Sequence, residues 1–353
     1  MTTPTTIPEP LIAQIRRGNR FLLTSHVNPD GDAVGSCLGL ARVLRKLGKG
    51  ATVWLRDPYP QIYAALPGSD RIHPGTEPPK GYPGTFSGVI VLECPSPERS
   101  GIAEHFGNLP VLNIDHHLGN EQYGAVNWVD TSAPAVGEMI VRMARHLRVD
   151  FDPDTANALY LTLVTDTGGF RFSNTGANAF EAAADLVREG ASPSTVARWL
   201  YESQPAGAVR LLAEVLATLR LHHDERVATV RLTREMVARA GAQPGDAEGI
   251  IDHPRSIRTV EGVALLREVD DTTIKASLRS RGTVNVEKIA RSRGGGGHPN
   301  AAGFKRDDLP VDGAGFARFE TEIADALLGA ITDAHAAADS AADDAEPEGD
   351  RPS

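Results

Sequence analysis

Short apolar runs alternate with amphipathic stretches between residues 11 and 196. This alternation predicts strands and helices in turn, which is the pattern of a parallel sheet covered by helices. The predicted strands span residues 20–24, 51–55, 88–92 and 111–114. The predicted helices span residues 33–47, 135–147, 153–165, 178–189 and 194–201. We therefore expect a layered α/β domain with a parallel sheet in this part of the chain.

The pattern changes after Gln204 and Pro205, where a helix is predicted over residues 208–221. A strand (226–232), two adjacent strands (259–269 and 273–279) and a helix (286–293) are predicted to follow. The expected organisation is a parallel-sheet α/β domain (1–200), a helical linker (201–224), a smaller mixed α+β domain (225–335) and a terminal tail (336–353).

The length of 353 residues fits two domains better than one, because a single core rarely serves a chain of this size. Much of the net charge of -10 comes from the tail, where six acids face Arg351 alone. We expect this tail to be disordered, since it cannot bury enough apolar surface to offset its ordering entropy. The remaining chain lacks a broad basic face, which argues against binding of long duplex nucleic acid and favours a short anionic substrate.

No run approaches the roughly 18 consecutive apolar residues that span a bilayer, and the N-terminal sequence lacks the basic and apolar regions of a signal peptide. We therefore expect a cytoplasmic protein without a membrane partner. The two cysteines, Cys37 and Cys94, lie in apolar or motif-flanking sequence. Buried thiols are expected there rather than a disulfide.

His26, Asp30 and Asp32 lie on the loop between the first predicted strand and the helix that follows it. In open α/β sheets, sites form at this edge. Two carboxylates held close together repel each other unless a cation lies between them. The alternative is an Asp that caps the helix beside an incidental histidine.

Further acids and histidines follow other apolar elements. Glu93 ends the predicted strand 88–92, Asp115, His116 and His117 follow the next strand, and Asp166 ends an apolar helix. A single acid in such a position is often only a solvated charge or a cap. Because the carboxyl ends of parallel strands meet at one edge of a sheet, we expect these side chains to converge.

Carboxylates mixed with imidazoles, without thiolates, suit Mn²⁺, Mg²⁺, Zn²⁺ or Fe. We expect two divalent cations, with Mn²⁺ as the first choice and Mg²⁺ as the alternative. Two such cations can clamp the attacking and leaving oxygens of a phosphoester. The sequence therefore predicts metal-dependent phosphoester hydrolysis.

A glycine run, Gly294–Gly297, leads into His298, Pro299 and Asn300. Backbone N–H groups without side chains can cradle a phosphate. Positive charge concentrates just before and beside this run, at Lys275, Arg279, Arg281, Lys288, Arg291 and Arg293. Arg279 could bind a phosphate in a forked geometry. The alternative is a flexible connector flanked by solvated surface charges.

The segments HVNPDGDAVGS, NIDHH, TLVTDTGGFRFSNT and RSRGGGGHPNAAGF resemble, in this order, the DHH phosphoesterase superfamily of RecJ-like proteins. The resemblance covers nearly all of the chain except the tail. It is closest to the short bacterial oligoribonuclease and pAp-phosphatase enzymes (nanoRNases), which carry a C-terminal DHH-associated domain. It implies hydrolysis of short RNA to 5′-mononucleotides and of 3′-phosphoadenosine 5′-phosphate (pAp) to AMP, and it suggests a homodimer.

The resemblance also implies a role for each site residue. One cation would be held by His26, Asp30 and Glu93, and the other by Asp32, Glu93, His117 and Asp166. His116 would assist departure of the leaving group, and Asp115 would orient the histidines. The substrate's terminal phosphate and base would be held across the interdomain cleft by Arg279, Gly295, Gly296, Gly297, His298 and Asn300.

The chain departs from the family pattern at Glu93, where aspartate is usual, and the extra methylene displaces the bridging carboxylate. Two other substrates or mechanisms stay open: a phosphodiesterase for cyclic di-AMP or its linear product, and a RecJ-like exonuclease on long DNA. The second is disfavoured because no additional nucleic-acid-binding domain is visible. A nucleotide-binding regulator with a degraded metal site is the alternative from a different class.

Overall fold

The computed structural model describes residues 5–247 and 249–343, with the side chains of Pro244, His298 and residues 341–343 outside the described part. The chain divides into two compact units between Ser203 and Gln204. Within the described residues, no helix is both long and apolar enough to cross a membrane.

The first unit contains a parallel sheet of six strands in the order β3-β2-β1-β4-β5-β6. The strands are β1 (Arg20–Thr24), β2 (Gly50–Leu55), β3 (His73–Pro74), β4 (Gly88–Leu92), β5 (Val111–Asp115) and β6 (Val126–Val129). The four predicted strands are confirmed. The edge strands β3 and β6 were not predicted, because β3 has only two residues and β6 is only partly buried.

Helices pack against this sheet and against one another. They are α1 (Glu9–Arg17), α2 (Gly31–Lys46), α3 (Val136–His146), α4 (Pro153–Asp166), α5 (Ala177–Arg188) and α6 (Pro193–Tyr201). All five predicted helices are confirmed, and α1 is additional. Helix α2 begins where Asp30 accepts a hydrogen bond from Ala33 N (3.0 Å), as expected for an N-cap. It ends next to Gly48, whose φ of 74° is typical of a helix C-terminus.

The helices α2, α3 and α4 approach closely around Thr162. A Cβ atom on Gly35 of α2 would lie 2.6 Å from Thr162 Cγ2, and one on Gly137 of α3 would lie 1.8 Å from Thr162 Oγ1. Neither position has room for a side chain. This packing brings the first turns of α2 and α3 to α4 and thereby places Asp32 near Asp166.

The second unit contains a mixed sheet in the order β11-β12-β10-β9-β8-β7, in which only β8 and β9 are parallel neighbours. The strands are β7 (Arg220–His222), β8 (Val227–Leu232), β9 (Gly262–Glu268), β10 (Ile274–Ser280), β11 (Gly296–His298) and β12 (Ala301–Arg306). The helices are α7 (Ala206–Leu216), α8 (Arg234–Ala240), α9 (Asp252–Arg255), α10 (Glu287–Arg291) and α11 (Gly313–Asp343).

The two faces of this second sheet belong to different cores. Ala264 and Leu266 of β9 pack with Phe319 and Leu327 of α11, whereas Val263 and Leu265 face the cluster that contains α7. Alternate residues of one strand therefore serve opposite faces, as period-two geometry requires. The mixed α+β architecture predicted for the second domain is confirmed.

One predicted helix boundary in the second unit was wrong. The helix predicted over 208–221 ends at Leu216, and the strand β7 begins at Arg220. Helical segments lie between the two domains, as predicted, and among them α7 packs into the core of the second unit through Leu211 and Val215.

The tail prediction also failed in part, because α11 continues to Asp343. Residues 336–343 are rich in alanine, which has the highest helix propensity, and they extend a helix that the sheet already anchors. Residues 344–353 of the predicted disordered tail lie outside the described residues.

Candidate metal centre

The predicted ligands lie where the strand order of the first sheet reverses. From the central neighbours β1 and β4, the chain builds outward through β2 and β3 on one side and through β5 and β6 on the other. His26 follows β1 and Glu93 follows β4, and His26 Nε2 lies 2.6 Å from Glu93 Oε2. A crevice at such a switch point is the usual ligand site of an open α/β sheet.

Glu93 is a buried acid with an unfavourable backbone conformation. It is only 3% exposed, and its φ of 51° is in the left-handed region that few non-glycine residues adopt. Its Oε2 has no hydrogen-bond partner among the described residues, although His26 Nε2 lies 2.6 Å away. Burial, together with the charges of Asp30 and Asp32, raises the pKa of Glu93 well above its usual range. A carboxylate in this position is poised for a cation.

Three imidazoles direct Nε2 toward the cluster because Nδ1 is already engaged. The Nδ1 pairs are His26 with Val27 O (2.8 Å), His116 with Ala133 O (3.0 Å) and His117 with Asp115 Oδ1 (2.8 Å). Carbonyl and carboxylate oxygens only accept, so Nδ1 donates in each pair. In the neutral ring, Nε2 then carries the lone pair that a metal ion requires.

Asp115 is a positioning residue for both adjacent histidines. Its Oδ1 also accepts from His116 N (2.8 Å), and its Oδ2 accepts from Asn120 Nδ2 (2.6 Å). Burial alone would raise the pKa of Asp115, but the hydrogen bonds from His117, Asn120 and His116 N hold it below its usual range. Asp115 thus stays ionised and fixes the tautomer of His117.

Asp32 is completely enclosed between two helix N-termini. It accepts from Ser36 Oγ in α2 (2.8 Å) and from Val136 N (2.6 Å) and Gly137 N (3.2 Å) in α3. These contacts favour the charged form. Burial nevertheless dominates and, together with the charge of Asp166, raises the pKa of Asp32 to about 7.

Asp166 ends α4 and faces His116, with 3.8 Å between Asp166 Oδ2 and His116 Nε2. Asn174 Nδ2 donates to Asp166 Oδ2 (3.3 Å) and to Asp166 O (3.1 Å). Burial raises the pKa of Asp166 to about 6, an effect that His116 opposes. Burial alone would lower the pKa of His116, yet the carboxylates of Asp32 and Asp166 raise it to about 9.

All eight residues predicted for the metal centre converge. Three groups have ligand atoms within 4.8 Å of one another: His26, Asp30 and Glu93; Glu93, His116 and His117; and Asp32, His116 and Asp166. Burial raises the pKa values of Asp32, Glu93 and Asp166, and the donors of the centre are oxygens and imidazole nitrogens. Both features fit divalent cations such as Mn²⁺.

Asn113, Asn120 and Asn174 were missed by the sequence reasoning. Asn113 Nδ2 donates to Val91 O and Cys94 O (both 3.2 Å), while Asn120 Nδ2 donates to Asn113 Oδ1 (2.7 Å). The sequence did carry a signal for Asn113, which is a polar amide inside the apolar strand β5. A buried amide must find hydrogen-bond partners.

The glycines predicted to bind substrate in the second unit have different structural roles. A Cβ atom on Gly295 would lie 2.2 Å from Gly303 O, and one on Gly297, which has a φ of 147°, would lie 2.4 Å from Ala301 O. The β11–β12 hairpin itself therefore requires these two glycines. Gly296 has open space where a side chain would lie, so packing alone does not explain the absence of a side chain there.

Two of the other side chains predicted to contact substrate, Asn300 and Arg279, already donate hydrogen bonds within the protein. Asn300 Nδ2 donates to Ser280 Oγ (3.0 Å), Gly282 O (3.0 Å) and Val284 O (3.2 Å), so this nitrogen holds a loop together. Arg279 is half-buried on β10, and its Nη1 donates to Leu278 O (3.1 Å). The side chain of His298 lies outside the described part of the chain.

Comparisons with known proteins agree with this arrangement. The N-terminal domain model of the DHH family matches residues 20–164, and the DHHA1 domain model matches residues 224–328. The bifunctional oligoribonuclease and PAP phosphatase NrnA of Thermus thermophilus is 34% identical over 310 residues, which cover 86% of this chain and 90% of the relative. The Bacillus subtilis protein of the same name is 29% identical over 83% of this chain and 91% of its own length.

A solved structure shows the same fold. The exopolyphosphatase-related protein from Bacteroides fragilis matches with a TM-score of 0.81 and 25% identity, over 91% of this chain and 96% of that chain.

Proposed function

The chain belongs to the DHH family, and on that premise we propose that it is a two-metal phosphoesterase that hydrolyses short oligoribonucleotides to 5′-mononucleotides and pAp to AMP. The observation that carries the proposal is the convergence of three imidazoles and four acids at the switch point of the parallel sheet. The NrnA relatives bear this activity in their names and align over about nine tenths of their length.

We assign His26, Asp30 and Glu93 to one cation and Asp32, Glu93, His117 and Asp166 to the other. The position of Glu93 supports a bridging role, since its Oε2 faces His26 and its Oε1 lies 3.7 Å from His117 Nε2. Divalent cations in such a site supply an activated water nucleophile and neutralise the charge of the phosphoryl group.

His116 is assigned to the leaving group. In the metal-free site, the carboxylates of Asp32 and Asp166 raise its pKa to about 9, against the effect of burial, and so favour the protonated ring. Ala133 O fixes the ring through Nδ1, so the proton on Nε2 is directed into the cluster. General acid catalysis requires such a positioned proton. Because His116 Nε2 also lies within two of the three ligand groups, a ligand role is the alternative for this residue.

The second unit is assigned to substrate binding. Arg279 is the proposed phosphate contact on β10, and the backbone at Gly296 is open to a ligand. Asn300 is expected to contribute only its Oδ1, since its amide nitrogen is engaged within the protein. His298 and the backbone of Gly295 and Gly297 complete the proposed set.

A substrate panel tests the proposal. The protein is assayed on pAp, a dinucleotide, a five-nucleotide RNA, cyclic di-AMP and long single-stranded DNA, each with Mn²⁺ and with chelator. We expect turnover of the first three substrates with Mn²⁺ and none with chelator. The variant His116→Asn should lose activity, whereas His146→Asn, at an exposed histidine of α3, should retain it. Absence of turnover on every substrate with Mn²⁺ would refute the proposal.

A further inference from the structure

An unusual group of aromatic side chains lies beyond the C-terminal end of α4. Aromatic residues make up only 5% of the chain, yet five gather here: Tyr160, Phe170, Phe172, Phe180 and Tyr201. Three of them are largely exposed, with 48% exposure for Phe172, 55% for Phe180 and 60% for Tyr201. Together with Arg171, these three residues are called the aromatic patch below. Clustered exposed aromatic side chains are a common feature of binding sites.

The aromatic patch lies against the residues that follow the proposed ligand Asp166. A Cβ atom on Gly168 would lie 2.4 Å from Phe172 Cζ, and one on Gly169 would lie 3.4 Å from Tyr201 Oη. Consecutive Cα atoms are about 3.8 Å apart, so both glycines are within about two or three such steps of Asp166. Asn174, at the other end of the loop, donates to Asp166 Oδ2. The patch therefore borders the metal centre within the first unit.

The patch combines the loop after α4, which carries Arg171 and Phe172, with Phe180 of α5 and Tyr201 of α6. Phe170 stacks on Phe180 with 5.2 Å between ring centroids and 20° between ring planes. Phe170 itself has a φ of 63°, a conformation that costs on the order of 1 kcal/mol for a residue with a side chain. Because Phe180 is more than half exposed, the stack ends at a ring that another planar group can cover.

Arg171 adds a positive charge to the aromatic patch. Arg171 is exposed, its Nε donates to Gly168 O (2.5 Å), and it forms no ion pair with any described residue. A cavity of about 450 Å³ lies beside it, lined by Arg171, Tyr201, Phe170 and Tyr160 among others. Flat apolar rings beside a guanidinium that forms no ion pair with the described residues match the two parts of a nucleotide, the base and the phosphate.

We propose that the aromatic patch binds the nucleobases of an oligoribonucleotide beyond the nucleotide that is cleaved. Phe172, Phe180 and Tyr201 stack on bases, and Arg171 contacts an adjacent phosphate. This inference rests on the proposed function, because it places the patch on the path of a substrate held at the metal centre. Stacking on aromatic rings tolerates any base, so the patch would select substrates by the presence of further nucleotides and not by sequence.

The test compares substrates with and without further bases. For Phe172→Ala and Tyr201→Ala, kcat/KM is measured on a five-nucleotide RNA and on pAp. We expect the ratio of the RNA value to the pAp value to fall roughly 5- to 100-fold, mainly through KM, as the loss of one base–aromatic stack predicts. Phe172→Tyr and Tyr201→Phe keep a ring and should preserve the ratio. Val187→Ala, at an exposed apolar residue of α5 outside the patch, is the matched control.

A series of five-nucleotide RNAs, each with one abasic position, identifies the contact directly. The loss caused by Phe172→Ala or Tyr201→Ala should disappear on the RNA that lacks the stacked base, since the two changes remove the same contact. Independently of activity, 2-aminopurine at that position should lose fluorescence when the unmodified protein binds the RNA in the presence of chelator.

Two results would overturn this inference. An equal loss on RNA and pAp would show that the rings support the fold or the metal centre. A change in oligomeric state on light scattering, with an unchanged substrate ratio, would assign the patch to contact between copies of the chain. Failure of the proposed function is recognised separately, because the unmodified protein would then hydrolyse neither RNA nor pAp.

Discussion

Replacement of Asp115 by asparagine should weaken divalent-cation binding without removing any proposed ligand. Asp115 Oδ1 accepts from His117 Nδ1 at 2.8 Å, and Oδ2 accepts from Asn120 Nδ2 at 2.6 Å. An asparagine has only one side-chain oxygen. If this oxygen faces His117, the new amide nitrogen opposes the Asn120 nitrogen, and two donors meet. If it faces Asn120, the proton of His117 must move to Nε2, which removes the lone pair that faces Glu93.

The expected size of the effect follows from these two outcomes. Loss of a partner that orients a metal-binding histidine typically reduces metal affinity or activity by about 10- to 100-fold, which is about 1.4 to 2.7 kcal/mol. Asp115 is fully buried, so bulk water cannot substitute for the lost acceptor. We expect the variant to lie at the upper end of this range.

The assay is a calorimetric titration of the chelator-stripped Asp115→Asn protein with Mn²⁺, beside the unmodified protein. Circular dichroism and a thermal melt of both apo proteins establish that the variant is folded. Adding Asn120→Asp gives the new amide nitrogen an acceptor and should restore part of the affinity. Recovery should be incomplete, because Asn113 Oδ1 loses the donor that Asn120 supplies at 2.7 Å. Unchanged Mn²⁺ affinity in Asp115→Asn would refute the positioning role.

Three further predictions follow from the site. Glu93→Asp withdraws the carboxylate by about 1.5 Å. Mn²⁺ affinity and the rate of RNA hydrolysis should therefore both fall at least about tenfold. Activity equal to or above that of the unmodified protein would show that the site is not adapted to glutamate. The pKa values of Asp32 (about 7) and Asp166 (about 6) are raised, so the folded chain binds more protons than the unfolded chain. In the presence of chelator, the melting temperature should therefore fall as the pH rises from about 4 to about 7. Asp32→Asn should reduce the dependence of the melting temperature on pH, and an unaltered dependence would contradict the raised pKa of Asp32. Mn²⁺ should raise the melting temperature of the unmodified protein more at pH 8 than at pH 5. Gly137→Ala should destabilise the fold by roughly 1 to 3 kcal/mol in a urea titration through overpacking against Thr162, and a change within error would mean that the helices can separate without cost.

The sequence allowed the strands and the ligand-bearing loops of the first unit to be predicted because both depend on local pattern. An apolar run followed by an acid or histidine marks the end of a buried strand, and parallel strands all bring that end to the same edge. The local pattern alone therefore predicts that His26, Glu93 and His117 lie close together.

The supporting contacts could not be predicted because their partners are distant in the chain. Val136 N donates to Asp32 across 104 positions, and the Ala133 carbonyl that orients His116 is 17 positions away. Neither contact uses a distinctive side chain on the partner, so the sequence carries no local signal for it. Helix α11, in contrast, was missed although the apolar spacing of Phe316, Phe319 and Ile323 was a usable helical signal.

Glu93 links the fold to the proposed chemistry more closely than any other residue. Its left-handed backbone conformation, its burial and its unpaired Oε2 each cost free energy in the absence of a cation. If the residue at the end of β4 had only a structural role, a serine or asparagine could end the strand there without the cost of a buried charge. Positive charge between His26 and His117 would offset the cost of the buried carboxylate, because Glu93 faces both rings. The strained, buried carboxylate between two imidazoles therefore supports the proposal that Glu93 would hold both cations.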